Sequence, residues 1–200
     1  GRLPIHHSEG LSPTRSDDLD LRWTTVGQKL EGAGYRSFWW GKGHTGYKSW
    51  RHLPVNLGFS AGFYGFLAPN QQHSNRARWY DNRVIDMPKP APFSTYDYER
   101  RIVRAIKEHD VSVPMFMFIA WQDAHTPYDC WKLPDVDMAA LADEQKCDGR
   151  EHLYNACCMY ALLKKTDEAI GRITVALQRK KMWDDTLMVL ASDNGGHKGG

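Results

Sequence analysis

The chain has no apolar stretch able to cross a bilayer. Its longest uninterrupted runs, Ala156 to Leu163 and Met115 to Trp121, fall far short of the roughly 20 residues a spanning helix needs. An excess of one charge is also missing. The net charge is +2, too mild for the basic footprint that binds phosphate backbones, so nucleic acid is not an expected partner. The basic clusters are Lys164-Lys165 and Arg179-Lys180-Lys181; the second falls where a long helix should end and reads as a solvated face that complements the helix dipole. Cysteine is scarce, at four residues with no Cys-x-x-Cys spacing, which leaves no zinc knuckle. Cys157 and Cys158 are adjacent in a helical pattern and cannot easily bond each other. Cys130 and Cys147 could close a loop disulfide, and the sequence leaves that pairing open. There is no Asn-x-Ser/Thr acceptor. The chain opens at Gly1 without Met, charged n-region or apolar h-region, so both ends are expected to be cut.

What is present is enough for one sizeable core: 200 residues, 42% hydrophobic and 25% charged, for which one domain is the prior. Val26 and Leu30 stand four apart in Thr24 to Ala33, with Gly34 as a helix stop. Tyr35 to His44, "YRSFWWGKGH", reads as a short buried strand ended by Gly41 and Gly43. Thr45 to Phe93, dense in Gly, Pro, Asn and Gln, reads as a long loop-rich stretch. A second helix is expected from about Asp97 to His109, with Tyr98, Ile102, Val103 and Ile106 on one side. Pro114 introduces a continuous apolar strand that breaks at Gln122. The longest helix is expected over Glu151 to Lys180, with a stripe of Leu153, Cys157, Tyr160, Leu163, Ile170, Ile173 and Leu177. "DDTLMVLASDNGG" then reads as a third strand.

Apolar strands separated by helices imply an α/β fold with a mostly parallel sheet. Such sheets bind ligands outside the carboxyl ends of their strands. The polar residues at the three predicted ends are Lys42 and His44, then His125, then Asp193 and Asn194. Asp193 and Asn194 are hard oxygen donors suited to Ca²⁺ or Mg²⁺, and Gly195-Gly196 lets the backbone approach a ligand. Lys42, His44 and His125 supply donors for a tetrahedral oxyanion and candidates for proton transfer. That set suits cleavage of a sulfate or phosphate ester. Taken singly, "DNGG" is an ordinary turn, a Lys between glycines marks a solvated loop, and His125 could merely end a strand. Their joint placement after successive strands carries the functional reading.

Seven segments then fall in a familiar order: "GRLPIH", "TTVGQKLEGAGY", "GKGHTGYKS", "LPVNLGFSAGFYGFL", "AHTP", "LLKKTDEAIGRI" and "MWDDTLMVLASDNGG". Together they resemble the formylglycine-dependent sulfatases, in the arylsulfatase branch around N-acetylgalactosamine-4-sulfatase. The resemblance covers nearly the whole chain and is weakest at Asn70 to Pro92 and Asp135 to Gly149. It implies an alkaline-phosphatase-like sandwich, a central sheet flanked by helices, with residues 1–200 a partial catalytic domain truncated at both ends. It also implies a bound Ca²⁺ and hydrolysis of a sulfate ester carried by a small molecule or glycan.

By the same resemblance Lys42 and His44 match the pair in Gly-Lys-Trp-His-x-Gly, which contacts sulfate and formylglycine. His125 matches the histidine of His-x-Pro, which binds sulfate or helps the leaving group depart. Asp193 and Asn194 match the second pair of calcium ligands. Gly43 replaces the usual Trp and is expected to loosen packing beside the two donors. Asp167, in "TDEAIG", is read as a structural, hydrogen-bonded helix residue on the apolar stripe.

The formylglycine itself, made from Cys in Cys-x-Pro-Ser-Arg by the formylglycine-generating enzyme, is expected upstream of Gly1. A further active-site Lys is expected beyond Gly200. "LSPTR", Leu11 to Arg15, has Leu where that cysteine would stand and is read as coincidence. The chain alone is therefore expected to be inactive. The alternatives are a phosphodiesterase or phosphatase on the same fold, or a non-catalytic sulfatase-like fragment. Localisation in the secretory pathway, lysosomal or extracellular, follows from the resemblance alone.

Overall fold

The computed structural model describes residues 19–43, 45–46, 49–67, 79–86, 93–123, 125, 128, 130, 133, 151–193 and 195, with backbone alone for 84–86 and 151–155. The described residues fall into two compact units. One is drawn from Gly1–Ser94 and Asp110–Gln122, the other from Thr95–His109 and Asp123–Gly200.

The first unit begins with helix α1, Val26–Gly32. Thr25 starts it with a capping box: its hydroxyl accepts the Gln28 N–H at 3.1 Å, and the Gln28 carbonyl accepts the Thr25 N–H at 2.9 Å. The predicted stop at Gly34 is a Schellman turn. Gly34 has φ +88°, its N–H reaches the carbonyl of Glu31 at 2.9 Å, and the Tyr35 N–H reaches that of Leu30 at 3.0 Å. The buried residue of this helix is Gly27, while Val26 is half exposed, so the inward face is not the one its apolar residues mark.

Strand β1, Arg36–Lys42, pairs in parallel with β2, Gly62–Phe66, on one side and with β5, Met115–Ala120, on the other. Antiparallel β3, Trp79–Asp81, and β4, Val84–Asp86, complete a five-stranded sheet of order β4-β3-β2-β1-β5. Three of these strands lie in the stretch expected to be loop. Its glycines and prolines concealed a strand signal in "GFYGF", whose Phe63, Tyr64 and Phe66 are all buried. The β3–β4 turn is fixed by Asn82, which has φ +57° and whose side-chain oxygen accepts the Phe63 N–H at 3.0 Å. Leu53, Phe63 and Leu67 form a buried cluster with Trp39, Val55 and Tyr80 packed against it.

β1 and β2 are buried as a central parallel strand should be. β5 lies at the end of the strand order and is only half covered, with Phe118 41% exposed. The third expected strand is absent as a sheet element. Leu187, Val189 and Leu190 are exposed, and no described residue pairs with residues 186–193 in a ladder. An apolar run becomes a strand only when a neighbour takes up its backbone N–H and C=O groups, and its own sequence cannot show that neighbour.

The second unit holds α2, Ser94–Glu108, and α3, Glu151–Arg179. Tyr98, Ile102 and Ile106 are fully buried, as expected for α2. On α3 the buried face is Cys157 and Cys158, Ala161, Leu162, Lys165, Thr166, Ala169, Ile173, Ala176 and Leu177, of which Cys157, Ile173 and Leu177 were expected. Tyr160 and Leu163, expected inside, are exposed, and the side chain of Leu153 lies outside the described residues. Cys130 bonds Cys158 across 28 residues, not Cys147, and ties this buried face down at Cys158. Cys157 is also disulfide-bonded, and Cys147 lies outside the described residues.

Asp167 points outward and is exposed; the inward group beside it is the Thr166 hydroxyl. The basic run after α3 behaves as expected. Lys181 has φ +59°, the Met182 N–H returns to Leu177 at 2.9 Å, and the Lys180 ammonium donates to the Lys107 carbonyl near the end of α2 at 2.8 Å.

Candidate active site

Two of the five sequence-derived site residues, His44 and Asn194, lie outside the described residues. Lys42 belongs to the first unit; His125 and Asp193 belong to the second.

Lys42 is the last residue of β1, in register with Phe66. Its carbonyl accepts the Trp39 indole N–H at 3.0 Å. That indole is wedged edge-on between Phe59 and Phe118, at ring-centroid distances of 4.8 and 4.5 Å, so the strand end is held by an aromatic cluster. Gly41 opposes Ala120. The carboxyl ends of β1 and β5 therefore lie side by side, and Lys42 sits where a parallel sheet binds ligands.

The residues flanking His44 are both anchored. The Gly43 N–H donates to the Phe66 carbonyl at 2.8 Å. The buried Thr45 hydroxyl donates to the His52 carbonyl at 2.7 Å. The expected loosening at Gly43 is not found. A Cβ there would stand 2.8 Å from Leu67 Cδ2 and 2.8 Å from the Phe66 carbonyl oxygen, so the space a larger residue would take is already filled.

His125 follows β5 and is exposed. Between the strand and the histidine, Gln122 is buried. Asp123 accepts hydrogen bonds at one carboxylate oxygen from the hydroxyls of Thr95, near the start of α2, and Thr166, on α3. Sequence reasoning drew nothing from Asp123. A carboxylate two residues before a candidate histidine was the available signal, and the two threonines could not be linked to it because they lie 28 and 43 residues away.

Asp193 is exposed and follows the unpaired apolar run. Its carboxylate has the hard-oxygen chemistry calcium prefers, but that ion takes about 6–8 oxygen ligands. Among the described residues no group of three or more His, Cys, Asp or Glu side chains could hold a metal ion, so the described donors do not complete a site. No helix among the described residues is long and apolar enough to cross a membrane.

A mostly parallel α/β sheet with a lysine at the carboxyl end of a central strand is a scaffold on which α/β proteins commonly bind ligands. The family model for sulfatases matches residues 1–200, and the chain belongs to the sulfatase family. It is 27% identical to mouse (Mus musculus) arylsulfatase J over 218 residues, covering 98% of this chain and 33% of that protein. A solved Bacteroides thetaiotaomicron structure, from work on the metabolism of multiple glycosaminoglycans, shares the fold with TM-score 0.71 at 16% identity, covering 90% of this chain and 44% of that one. Ps i-CgsB in complex with k-i-k-neocarrahexaose gives TM-score 0.66 at 16% identity, over 86% of this chain and 40% of that one. The chain thus spans about a third of the length of the curated relative.

Proposed function

We propose that the full-length protein is a sulfuric ester hydrolase of the arylsulfatase type, acting on a sulfated small molecule or glycan. The observation that carries this is the match of the sulfatase family over residues 1–200, together with Lys42 at the carboxyl end of β1 and His125 just beyond β5. The glycan preference draws support from fold neighbours bound to a carrageenan-type oligosaccharide or taken from glycosaminoglycan metabolism.

In sulfuryl transfer the bond from sulfur to the ester oxygen breaks as a nucleophile attacks sulfur from the opposite side. Negative charge builds on the sulfuryl oxygens and on the departing oxygen. The Lys42 ammonium offsets the former, a role the family resemblance also gives His44, and a protonated His125 delivers a proton to the latter. Exposure of His125 suits it to meet a substrate arriving from solvent. The family resemblance assigns the nucleophile to a formylglycine outside residues 1–200, so the chain alone is expected to be inactive. Calcium, when bound, would supply positive charge beside the sulfuryl group, with Asp193 and Asn194 among its oxygen donors. A secretory-pathway location accompanies this reading.

The test is turnover of 4-nitrophenyl sulfate by full-length Lys42→Ala and His125→Ala variants. Each is expected to lose about 100-fold or more in kcat, the scale of a proton donor or an oxyanion-stabilising group. Unchanged turnover, or a preference for 4-nitrophenyl phosphate over the sulfate, would sink the assignment, and the second result would favour the phosphoesterase alternative.

A further inference from the structure

From the hydrogen bonds behind His125, we infer that Asp123, clamped by the hydroxyls of Thr95 and Thr166, is a positioning residue for that histidine. The inference rests on the reading of His125 as the proton donor to the leaving oxygen.

The two ends of this short segment are treated differently. Gln122 is buried and Asp123 half-buried, while His125, two residues on, is exposed. An exposed histidine on an untethered loop samples many orientations, and side-chain and backbone freedom both work against proton transfer to a fixed atom. The clamp removes that freedom at its root. Both hydroxyls converge on the same oxygen, Asp123 Oδ2. They come from two helices, with Thr95 0% and Thr166 9% exposed, so the bonds are shielded from competing water. Hydrogen bonds to an ionised acceptor are among the stronger ones. Thr166 Oγ1 also lies 3.4 Å from the Leu162 carbonyl, but its single proton is the one given to Asp123. The helix packing therefore fixes the carboxylate, and the carboxylate fixes the backbone that leads into His125.

This arrangement has a cost that a purely structural account leaves unexplained. Drawing a carboxylate even partly out of water is expensive where an apolar residue would pack at lower cost, and a small hydrophobic side chain could join the two helices as well. A rigid, directional anchor just ahead of a proton donor is what the extra expense provides.

The distinguishing readout is dependence on the leaving group. A misplaced proton donor hurts a poor leaving group, which needs the proton, more than a good one. Full-length enzyme would be assayed with 4-nitrophenyl sulfate and with phenyl sulfate, whose phenol is the weaker acid. His125→Ala serves as the reference and is expected to lose more on phenyl sulfate. Asp123→Ala and Thr166→Val are expected to show the same selectivity at smaller size: about 10- to 100-fold in kcat on phenyl sulfate, the scale of a displaced catalytic group, and a few-fold on the nitrophenyl ester. Thr166→Ser, which keeps the hydroxyl, should recover the parent ratio. Thr166→Val nearly preserves shape and carries the comparison if Asp123→Ala does not fold. Equal losses on both esters, or none, while His125→Ala remains selective, would overturn the clamp and leave the role of His125 standing. Loss of selectivity in His125→Ala itself would overturn the reading of the histidine and the clamp with it.

Discussion

Replacing Gly41 by alanine adds one methyl group at the junction of three strands. Gly41 has φ +99°, and its ideal Cβ would stand 1.9 Å from the Ala120 carbonyl oxygen and 2.8 Å from the carbonyl carbon. The obstacle is backbone of β5 in register with β1, so no side-chain rotation can clear it. Forcing an L residue into this region of φ costs about 1–3 kcal/mol. Prying apart a packed core to admit the extra carbon costs about 1–3 kcal/mol more. The combined destabilisation, about 2–6 kcal/mol, is a large part of the 5–15 kcal/mol that holds a typical domain. Gly171→Ala is the matched control. It lies inside α3 with nothing within 4 Å of its Cβ, where alanine is favoured over glycine by about 0.5–1 kcal/mol. Urea unfolding of the full-length protein, followed by tryptophan fluorescence, should move the midpoint down for Gly41→Ala and slightly up for Gly171→Ala. Because Lys42 follows Gly41 directly, Gly41→Ala should also reduce sulfatase turnover while Gly171→Ala leaves it unchanged. A Gly41→Ala midpoint within about 0.5 kcal/mol of the parent, on the scale of an unconstrained surface change, would refute the packing argument.

Three further outcomes follow from the structure. Gly43→Trp, which restores the residue usual in the family, should lower the unfolding midpoint, because Leu67 and the Phe66 carbonyl occupy the space beside Gly43; an unchanged or raised midpoint would show that the loop accommodates the ring. Removing the Cys130–Cys158 bond, which closes 28 residues, by a double Ser substitution should cost about 3–4 kcal/mol on chain-entropy grounds, read from the same urea transition in oxidising buffer. The Arg22 side chain, then its backbone N–H, holds the Asp20 carboxyl down from its ordinary 3.8 to about 2. A depressed acid contributes stability above pH 3.8 that is lost as pH falls toward 2, so Arg22→Ala should move the Asp20 carboxyl titration, followed by NMR, upward toward 3.8 without reaching it, because the backbone N–H of residue 22 still donates to the carboxylate.

Local rules made much of this protein legible. The start and stop of α1 were readable because a capping box and a Schellman glycine are satisfied within a few residues. β1, β5 and α2 were readable for a similar reason, being single-period apolar segments bounded by Gly, Pro or a charge change. Lys42 and His125 could be picked out because a parallel sheet presents its chemistry at strand carboxyl ends, a rule that needs only strand direction.

What failed depended on partners far away in sequence. β2 was hidden because its glycines signal a loop locally, yet Gly65 is where the Gly41 carbonyl approaches to 1.9 Å of an ideal Cβ; β3 and β4, three residues each, are too short to show a period. The inward face of α3, with Ala161 and Leu162 buried where Tyr160 and Leu163 were expected, was set by packing partners distant in sequence, Cys130 among them. Leu187 to Leu190 had a strand's composition but no paired neighbour among the described residues. Asp123 was invisible as a functional element until two helices delivered their hydroxyls to it. The sequence by itself determined which segments could be helix or strand and which residue types carried chemistry, because caps, turns and periodicity act over a few residues. Only the tertiary structure decided which faces turned inward, which strands paired and which carboxylate was clamped, because those outcomes depend on contacts between residues tens of positions apart.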